Sequence, residues 1–548
     1  MAKSEAVGVG TGDGPPPSPH PAVDGLSDLE GATLSPWRFW LLSVGVCLGL
    51  FLSMIDSSIV ATSLYTIGAE LHASESVNWV ALAYTLAYLG CAVTFARLSD
   101  VIGRRNTFVT AYVVFFAFSL ACGFAQNLGQ LITFRALQGI GGSGLYSLSM
   151  IILPELCPVQ LRQFIGSIIG LVIAASGVLG PVLGGVLTQY GSWRWVFWIN
   201  GPIGFVSLVI FLTTWPKAEH LPNIDRRSWK DFDYLGSLLV VGASVLVVFA
   251  FQNAGEAGET VWGQAIFIGP LVGGAVGWAA LIAWELAVEQ RFCQSISPAF
   301  PISLFRNRAY AAGAASTLFL GYPYLLLIYS FPLRAQVVSE KSALTAGLML
   351  LPMLGTSALG SAISGKINTG KNLLCETLVA GACLMALGCG LLATISGTAV
   401  DGRALGFLTF AGLGFGLSTA AATILVTVEA PMSDHAPAQG ILAQLRVLGG
   451  SLGISTSTVL VNAESMRRLH GVVSVNGRVE HSEAVHMAYS EAFRKGMLAA
   501  AAVSTMGIVL ALAGYRTPRP GFQRQQKTLT KAGNETSRAM IEENQCQV

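Results

Sequence analysis

The chain is 548 residues long, 53% of them hydrophobic and only 11% charged, and its mean hydropathy is +0.60. A soluble domain carries roughly 25% charged residues, so this composition excludes a soluble protein and points to an all-α polytopic membrane protein. The net charge of +2 is too small to suggest a nucleic-acid partner, and the nine cysteines, without CxxC or Cys/His spacing, read as small hydrophobes rather than as metal ligands or a disulfide framework.

In chain order, residues 1–37 are rich in Gly, Pro and acidic groups, lack an apolar core of signal-peptide type and read as a disordered cytosolic tail. A membrane helix needs about 20 mostly apolar residues. Fourteen stretches satisfy that rule: 38–63, 77–97, 106–126, 130–154, 163–188, 195–216, 234–254, 262–284, 309–333, 343–365, 373–395, 404–428, 436–462 and 494–514. An even number of crossings puts both termini on one side, and basic residues accumulate in cytosolic loops. With both termini inside, 21 Lys and Arg lie in cytosolic segments against 9 outside, with Arg135 and Arg446 within spans. The expected topology is therefore N-in and C-in. Five of the nine outer basic residues, Arg467, Arg468, Arg478, Arg494 and Lys495, fall in the loop before the last span and strain that assignment.

The polar segment 217–233 separates the first six spans, 38–216, from the rest and reads as a cytosolic linker. A second polar stretch, 285–308, follows two further spans at 234–284 and precedes the last six, at 309–514. If the middle pair is an insertion, what remains is six plus six, two bundles around a midplane cavity. Residues 515–548 form a polar, basic tail expected in the cytosol, where its Asn534 sequon would not meet the glycosylation machinery.

Between the second and third spans lies Ala-Arg-Leu-Ser-Asp-Val-Ile-Gly-Arg-Arg, residues 96–105. Gly103 permits a tight reversal, and Asp100 can make charge-assisted bonds to Arg104 and Arg105 across the helix ends, forming a latch. In the first span Asp56 is the only charge between Arg38 and Glu70, and an intramembrane carboxylate implies a function by default. Arg135 opens the fourth span as Arg-Ala-Leu-Gln138-Gly139-Ile-Gly-Gly. The antiparallel directions of the two spans put Asp56 and Arg135 in the same outer half. Such a pair either only fixes packing or alternates between a protonated and a paired Asp, because burial favours the neutral acid and Arg the ionised one.

The fifth span carries Gly177, Gly180, Pro181, Gly184 and Gly185, where Pro removes a backbone donor and four-residue Gly spacing allows close helix approach. In the ninth, Phe319, Tyr322, Tyr324 and Tyr329 gather around Pro323 and are either cavity aromatics for weakly polar substrates or ordinary packing contacts. Arg446, inside the thirteenth span, either binds an anionic group or bonds to carbonyls.

The segment 96–105 resembles the signature between the second and third helices of the major facilitator superfamily, with Ala96 in place of its first Gly. Asp56-Ser-Ser-Ile-Val, Arg135 to Gly144, Gly180 to Gly185 and Trp193 to Pro202 are similar to the motifs of its 14-helix drug:proton antiporter family, with Tyr65 where that family usually has Pro. The resemblance covers roughly residues 38–515. It implies a proton-coupled efflux transporter of small amphipathic compounds (drugs, toxins or secondary metabolites) working by alternating access, with Asp56 and Arg135 as coupling residues. A transporter of a specific nutrient or of a metal chelate such as a siderophore on the same fold is the alternative. No nucleophile and base constellation, metal cluster or nucleotide loop is evident, so neither enzyme activity nor a cofactor is expected. The expected partners are the substrate, protons and the lipid bilayer, for a monomer in the plasma membrane or an internal, vacuolar one.

Overall fold

The structure is a computed structural model that describes residues 36–60, 63–72, 77–157, 162–216, 228–256, 262–291, 296–368, 372–395, 401–431, 434–469 and 479–515. In a bilayer no water satisfies an exposed backbone group, so apolar runs of this length close their hydrogen bonds within themselves as helices. Fourteen long helices result among the described residues. They are α1 (Pro36–Ile59), α2 (Asn78–Ile102), α3 (Arg104–Gly123), α4 (Leu128–Leu156), α5 (Arg162–Tyr190), α6 (Asn200–Thr214) and α7 (Tyr234–Glu256). There follow α8 (Ala265–Arg291), α9 (Arg308–Val337), α10 (Leu351–Ile367), α11 (Leu374–Leu392), α12 (Asp401–Glu429), α13 (His435–Leu469) and α14 (Val479–Ala513). Single turns at Trp195–Trp198 and Ala343–Leu348 lead into α6 and α10, and a short helix, Leu64–Glu70, follows α1.

Thirteen helices among the described residues are long and apolar enough to cross a membrane. The exception, α13, has 35 residues and is made polar by Gln439, Gln444 and Arg446, all buried. Its polar side chains face protein rather than lipid, because α2, α4, α7, α9 and α14 surround it.

The contacts sort the helices into two bundles. In the first, α4 packs on α2 and α3, and α1 on α5 and α6; in the second, α12 packs on α10 and α11, and α9 on α13 and α14. Across the seam α5 meets α10 and α12, while α13 meets α2 and α4. The inserted helices α7 and α8 pack on each other, and α7 lies over the junction of α2 with α13. There Gln444 of α13 accepts from the backbone N–H of Val93 (3.3 Å) and donates to Ser244 of α7 (2.9 Å).

Several element ends differ from the sequence expectation, each for a local reason. The second linker was expected from residue 285, yet α8 runs on to Arg291, because Glu285 and Glu289 accept from the backbone N–H groups of Phe300 (2.8 Å) and Ser303 (2.6 Å). Of the expected tails, 1–37 and 515–548, residues 36 and 37 instead open α1, while 1–35 and 516–548 with Asn534, residues 217–227 of the first linker and the side chain of Tyr65 lie outside the described residues.

The last loop is also more helical than expected, since α13 continues to Leu469 and α14 begins at Val479, 15 residues before the expected position 494. Its described basic residues are paired: Glu464, its side chain only 4% exposed, binds Lys495 and has Arg467 and Arg468 each at 3.6 Å, while Arg494 pairs with Glu491 at 2.5 Å; Arg478 lies outside the described residues. Glu464→Gln is expected to loosen this hairpin by about 1–2 kcal/mol, the partners' exposure keeping it below the cost of breaking a fully buried pair. The detergent-solubilised variant should melt a few degrees lower in a thermal-shift assay, and an unchanged midpoint would show that the pairing contributes nothing.

Candidate functional site

Asp56 on α1 and Arg135 on α4 are both 0% exposed and form an ion pair. Arg135 Nη1 also donates to Gln138 Oε1 (2.9 Å) and Nε to the carbonyl of Val80 (3.1 Å), and the guanidinium lies over the Tyr84 ring, 4.1 Å from its centroid. The second carboxylate oxygen of Asp56 accepts from Asn200 Nδ2 (2.9 Å), which donates as well to Ser119 Oγ (2.9 Å). The pair thus fastens α1, α2, α3, α4 and α6 at one point. Sequence reasoning gave Asn200 no role; its signal was a lone amide in an otherwise apolar span. Gly139 packs against the Tyr84 backbone, where an added Cβ would lie 2.5 Å from the carbonyl.

A second cluster occupies the end of the molecule that carries the α2–α3 turn, here called the basic end. Gly103 makes the reversal with φ 95°, a region that L side chains avoid. Arg104 donates to Asp100 (2.6 Å), to Ser99 Oγ (2.6 Å), and through a two-pronged fork to Glu155 of α4 (3.0 and 3.1 Å). Arg97 spans from Asp100 (3.4 Å) to Asp434 (3.7 Å), and His435 Nδ1 lies 4.0 Å from Glu155. Asp434 and His435 stand at the start of α13, so the cluster ties the first bundle to the second. Arg105, expected in the latch, is a correction: it is exposed and has no ion-pair partner among the described residues. It follows Arg104 directly, and successive helical side chains point about 100° apart. Glu155, Arg97, Asp434 and His435 were missed, though Glu155 was legible as a carboxylate closing an apolar span.

At the opposite end Glu70 accepts from Arg194 (2.5 Å) and Trp193 Nε1 (2.7 Å), and Arg194 also reaches the carbonyl of Ala125 (3.2 Å). The Arg194 hydrogen bond holds the Glu70 carboxyl below the usual carboxylate range, with Trp193 helping against some desolvation.

On α5, Gly180 is the point of closest approach to α1: an added Cβ would lie 1.9 Å from Ser58 Oγ and 3.1 Å from the Ile59 nitrogen. Pro181 and Gly184 are buried beside it and Gly185 is half-buried. Gly177, one turn away, instead borders a cavity between the bundles. That cavity has a volume of about 80 Å³. Tyr84, Gly177, Tyr324, Tyr329, Phe415 and Arg446 are among its walls. Tyr324 stacks on Phe415 with centroids 3.5 Å apart, and Tyr329 donates to the carbonyl of Ser57 (3.0 Å).

Phe319 and Tyr322, expected with the other aromatics, are not among the cavity's lining residues. Relative to the cavity-facing Gly321 they lie roughly 160° and 100° round the helix, outside the arc of about 80° either way that holds Tyr324, Leu325, Ile328 and Tyr329. Phe319 faces Gly507 of α14 and Tyr322 sits beside Thr456 of α13.

Residues 46–454 match the family model described as Major Facilitator Superfamily. The chain belongs to the major facilitator superfamily. It is 34% identical over 437 residues to the MFS-type transporter FPY5 of Fusarium mangiferae, covering 78% of this chain and 73% of the relative. It is 32% identical to the MFS-type efflux pump LUC4 of a Fusarium species, covering 80% and 76%. Against Multidrug resistance protein 3 of Bacillus subtilis it is 32% identical, covering 62% and 64%. Its fold is similar to that of the proton:xylose symporter XylE, with a TM-score of 0.58 at 15% identity over 90% of this chain and 100% of the other. Within this superfamily chain, Ala96 stands where the signature has Gly, and the facing residue supplies the missing space: a Cβ on Gly440 of α13 would lie 2.7 Å from that of Ala96.

The basic-end cluster generates a graded prediction. Asp100→Asn removes one charge-assisted bond while Glu155 still holds Arg104, whereas Arg104→Gln removes both; such bonds are worth about 1.5–3 kcal/mol each. Maleimide labelling of the buried Cys157 at this end, with the other cysteines replaced by serine, should accelerate about 10-fold in Asp100→Asn and more in Arg104→Gln. Equal rates in all three proteins would show that the cluster does not latch the bundles.

Proposed function

We propose that the protein is a proton-coupled exporter of small amphipathic organic compounds, working by alternating access of its two bundles in the plasma membrane, and acting as a monomer. The observation that carries this reading is the fully buried Asp56–Arg135 pair beside the cavity between the bundles. Ser57 and Ser58, next to Asp56 in sequence, line that cavity, as does Tyr84, whose ring covers Arg135. A proton arriving at Asp56 cancels its attraction to Arg135, which keeps Gln138 and the Val80 carbonyl as acceptors. Asn200 still donates to the neutral acid. Protonation therefore weakens the hold of α1 on α4, leaving the 3.4 Å bond from Arg135 Nη2 to the Asp56 carbonyl as the remaining polar tie, and deprotonation draws them together again.

The names of relatives as efflux pumps support the outward direction. A proton entering down about 100 mV and one pH unit supplies roughly 2.3 plus 1.4 kcal/mol, enough to concentrate a neutral compound some 10²- to 10³-fold. Because a protein of similar fold is named a proton:xylose symporter, direction is the first thing to measure. In inverted vesicles an imposed inward-acid gradient should drive labelled amphipathic compounds into the lumen; movement only in the opposite direction would make the protein an importer.

Asp56→Asn keeps the shape of the side chain and its hydrogen-bond capacity but cannot cycle a proton. Gradient-driven uptake should fall to background while expression and insertion stay at wild-type levels, and wild-type uptake by this variant would remove Asp56 from the coupling role. Gly180→Leu places four carbons where α1 leaves no room, an overpacking that costs about 1–3 kcal/mol. Transport of every compound in a panel should be lost together, or the pH gradient dissipated. Selective loss of some compounds would instead assign Gly180 to substrate contact.

A further inference from the structure

We infer that the transported compound is an organic anion, whose carboxylate or equivalent weak-acid oxygen docks on Arg446 and Tyr146 while its apolar body fills the cavity. This deepens the exporter reading and rests on it for the direction of transport. Arg446 is only 7% exposed, and among the cavity's lining residues it alone carries a charge. A cation buried in a membrane bundle costs several kcal/mol unless it is paired. Arg135 meets that requirement with Asp56, but no carboxylate pairs with Arg446 among the described residues. Its Nη1 donates to the Tyr146 hydroxyl at 3.2 Å, while Nη2 is buried with no hydrogen-bond partner.

A guanidinium presents donors in a planar fork that suits a carboxylate. Tyr146, having accepted from Nη1, keeps its own O–H to donate, so two donors from different bundles, α13 and α4, converge on one anion. Tyr88 stands beside them, its ring centroid 5.8 Å from that of Tyr146. The rest of the described wall is uncharged: it carries the hydroxyls of Ser57, Ser58, Thr85, Ser176 and Ser451 and is otherwise mainly apolar or aromatic, led by Ile173, Leu325, Ile328 and the stacked Tyr324 and Phe415. Such a wall accepts a greasy body and leaves charge recognition to one corner. A cationic compound would meet an unpaired Arg and no carboxylate, and a neutral one would accept at most an ordinary hydrogen bond from Nη2 and leave the guanidinium charge uncompensated. Because the anion bridges donors from both bundles, its binding also closes the seam at mid-membrane.

The test uses one fluorophore with three charges: dansylglycine, dansylglycinamide and a dansyl trimethylammonium derivative, titrated into the full-length protein in lipid nanodiscs. Dansylglycine is expected to bind about 10- to 100-fold more tightly than the amide, with the cation weakest. Arg446→Gln should abolish the difference by weakening the anion alone. Arg446→Lys should restore part of it, which a merely structural role for Arg446 would not give. Tyr146→Phe should weaken dansylglycine several-fold and leave the amide unchanged.

Equal binding of the three probes, a preference for the cation, binding of none, or an anion preference that survives Arg446→Gln would each overturn the inference. Transport is scored separately in vesicles under an imposed pH gradient. Proton-driven export that prefers the amide or the cation overturns the anion site and keeps the exporter reading. Anion binding lost in Arg446→Gln, without proton-driven movement of any probe, keeps the site and overturns the exporter reading.

Discussion

The structure depends on one electrostatic requirement: two full charges, Asp56 and Arg135, sit at zero exposure inside an apolar bundle. Breaking a buried pair by removing one partner costs about 3–5 kcal/mol, so the helices that satisfy this pair have little freedom of placement. Gln138, Asn200, Ser119 and the Val80 carbonyl must all be where they are. In the proposed cycle the same constraint would make the site a switch, since a single proton removes one of the two charges without removing a side chain. The energy then at stake is comparable to the roughly 3.7 kcal/mol that a proton brings at about 100 mV and one pH unit. A pair much stronger than that would not open; one much weaker would not hold the bundle.

Two kinds of contact flank the pair. At the basic end the bundles are joined by ions, with Arg97, Arg104 and His435 arranged among Asp100, Glu155 and Asp434. Along α5 they are joined by close packing, with Gly170 against Ser361 and Thr419, and Gly347 against Val182. Ionic contacts switch with protonation and solvation, while close packing slides or separates as a unit. A cavity of only about 80 Å³ between such contacts is too small for a drug-sized compound, which enters only when the bundles part further.

Much of this was legible because a membrane removes ambiguity. A charge inside an apolar run is costly wherever it occurs, so Asp56, Arg135 and Arg446 stood out from single letters, and antiparallel span directions put the first two at the same depth. What escaped was pairing across distant sequence: Arg97 with Asp434 is 337 positions apart, and no local spacing announces it. The aromatics of α9 were misjudged by reading proximity along the chain as proximity in space, when helical phase turns Phe319 and Tyr322 away from Tyr324. The substitution at Ala96 was legible as a departure, but its remedy at Gly440 lies on another helix. The polar character of α13 lowers its apolarity below that of the other thirteen helices, and only its burial among five neighbours explains why it crosses nonetheless.

That helix is also where the parts of the mechanism meet. At about 1.5 Å per residue its 35 residues span roughly 52 Å, and they carry, in order, His435 at the basic-end cluster, Gln444 at the junction with α2 and α7, Arg446 at the cavity and Glu464 in the hairpin at the far end. A helix is stiff over this length, so α13 cannot shift at the cavity while staying fixed at the cluster. On the proposed reading, occupation at Arg446 and release of the ions around Asp434 and His435 would be two readings of one displacement. The inserted helix α7 leans on the same element through Ser244 and Gln444, bracing α13 against α2 in the closed arrangement. Coupling between the proposed substrate site and the proposed gate would then need no chain of small side-chain movements, since both sets of contacts lie on one rod.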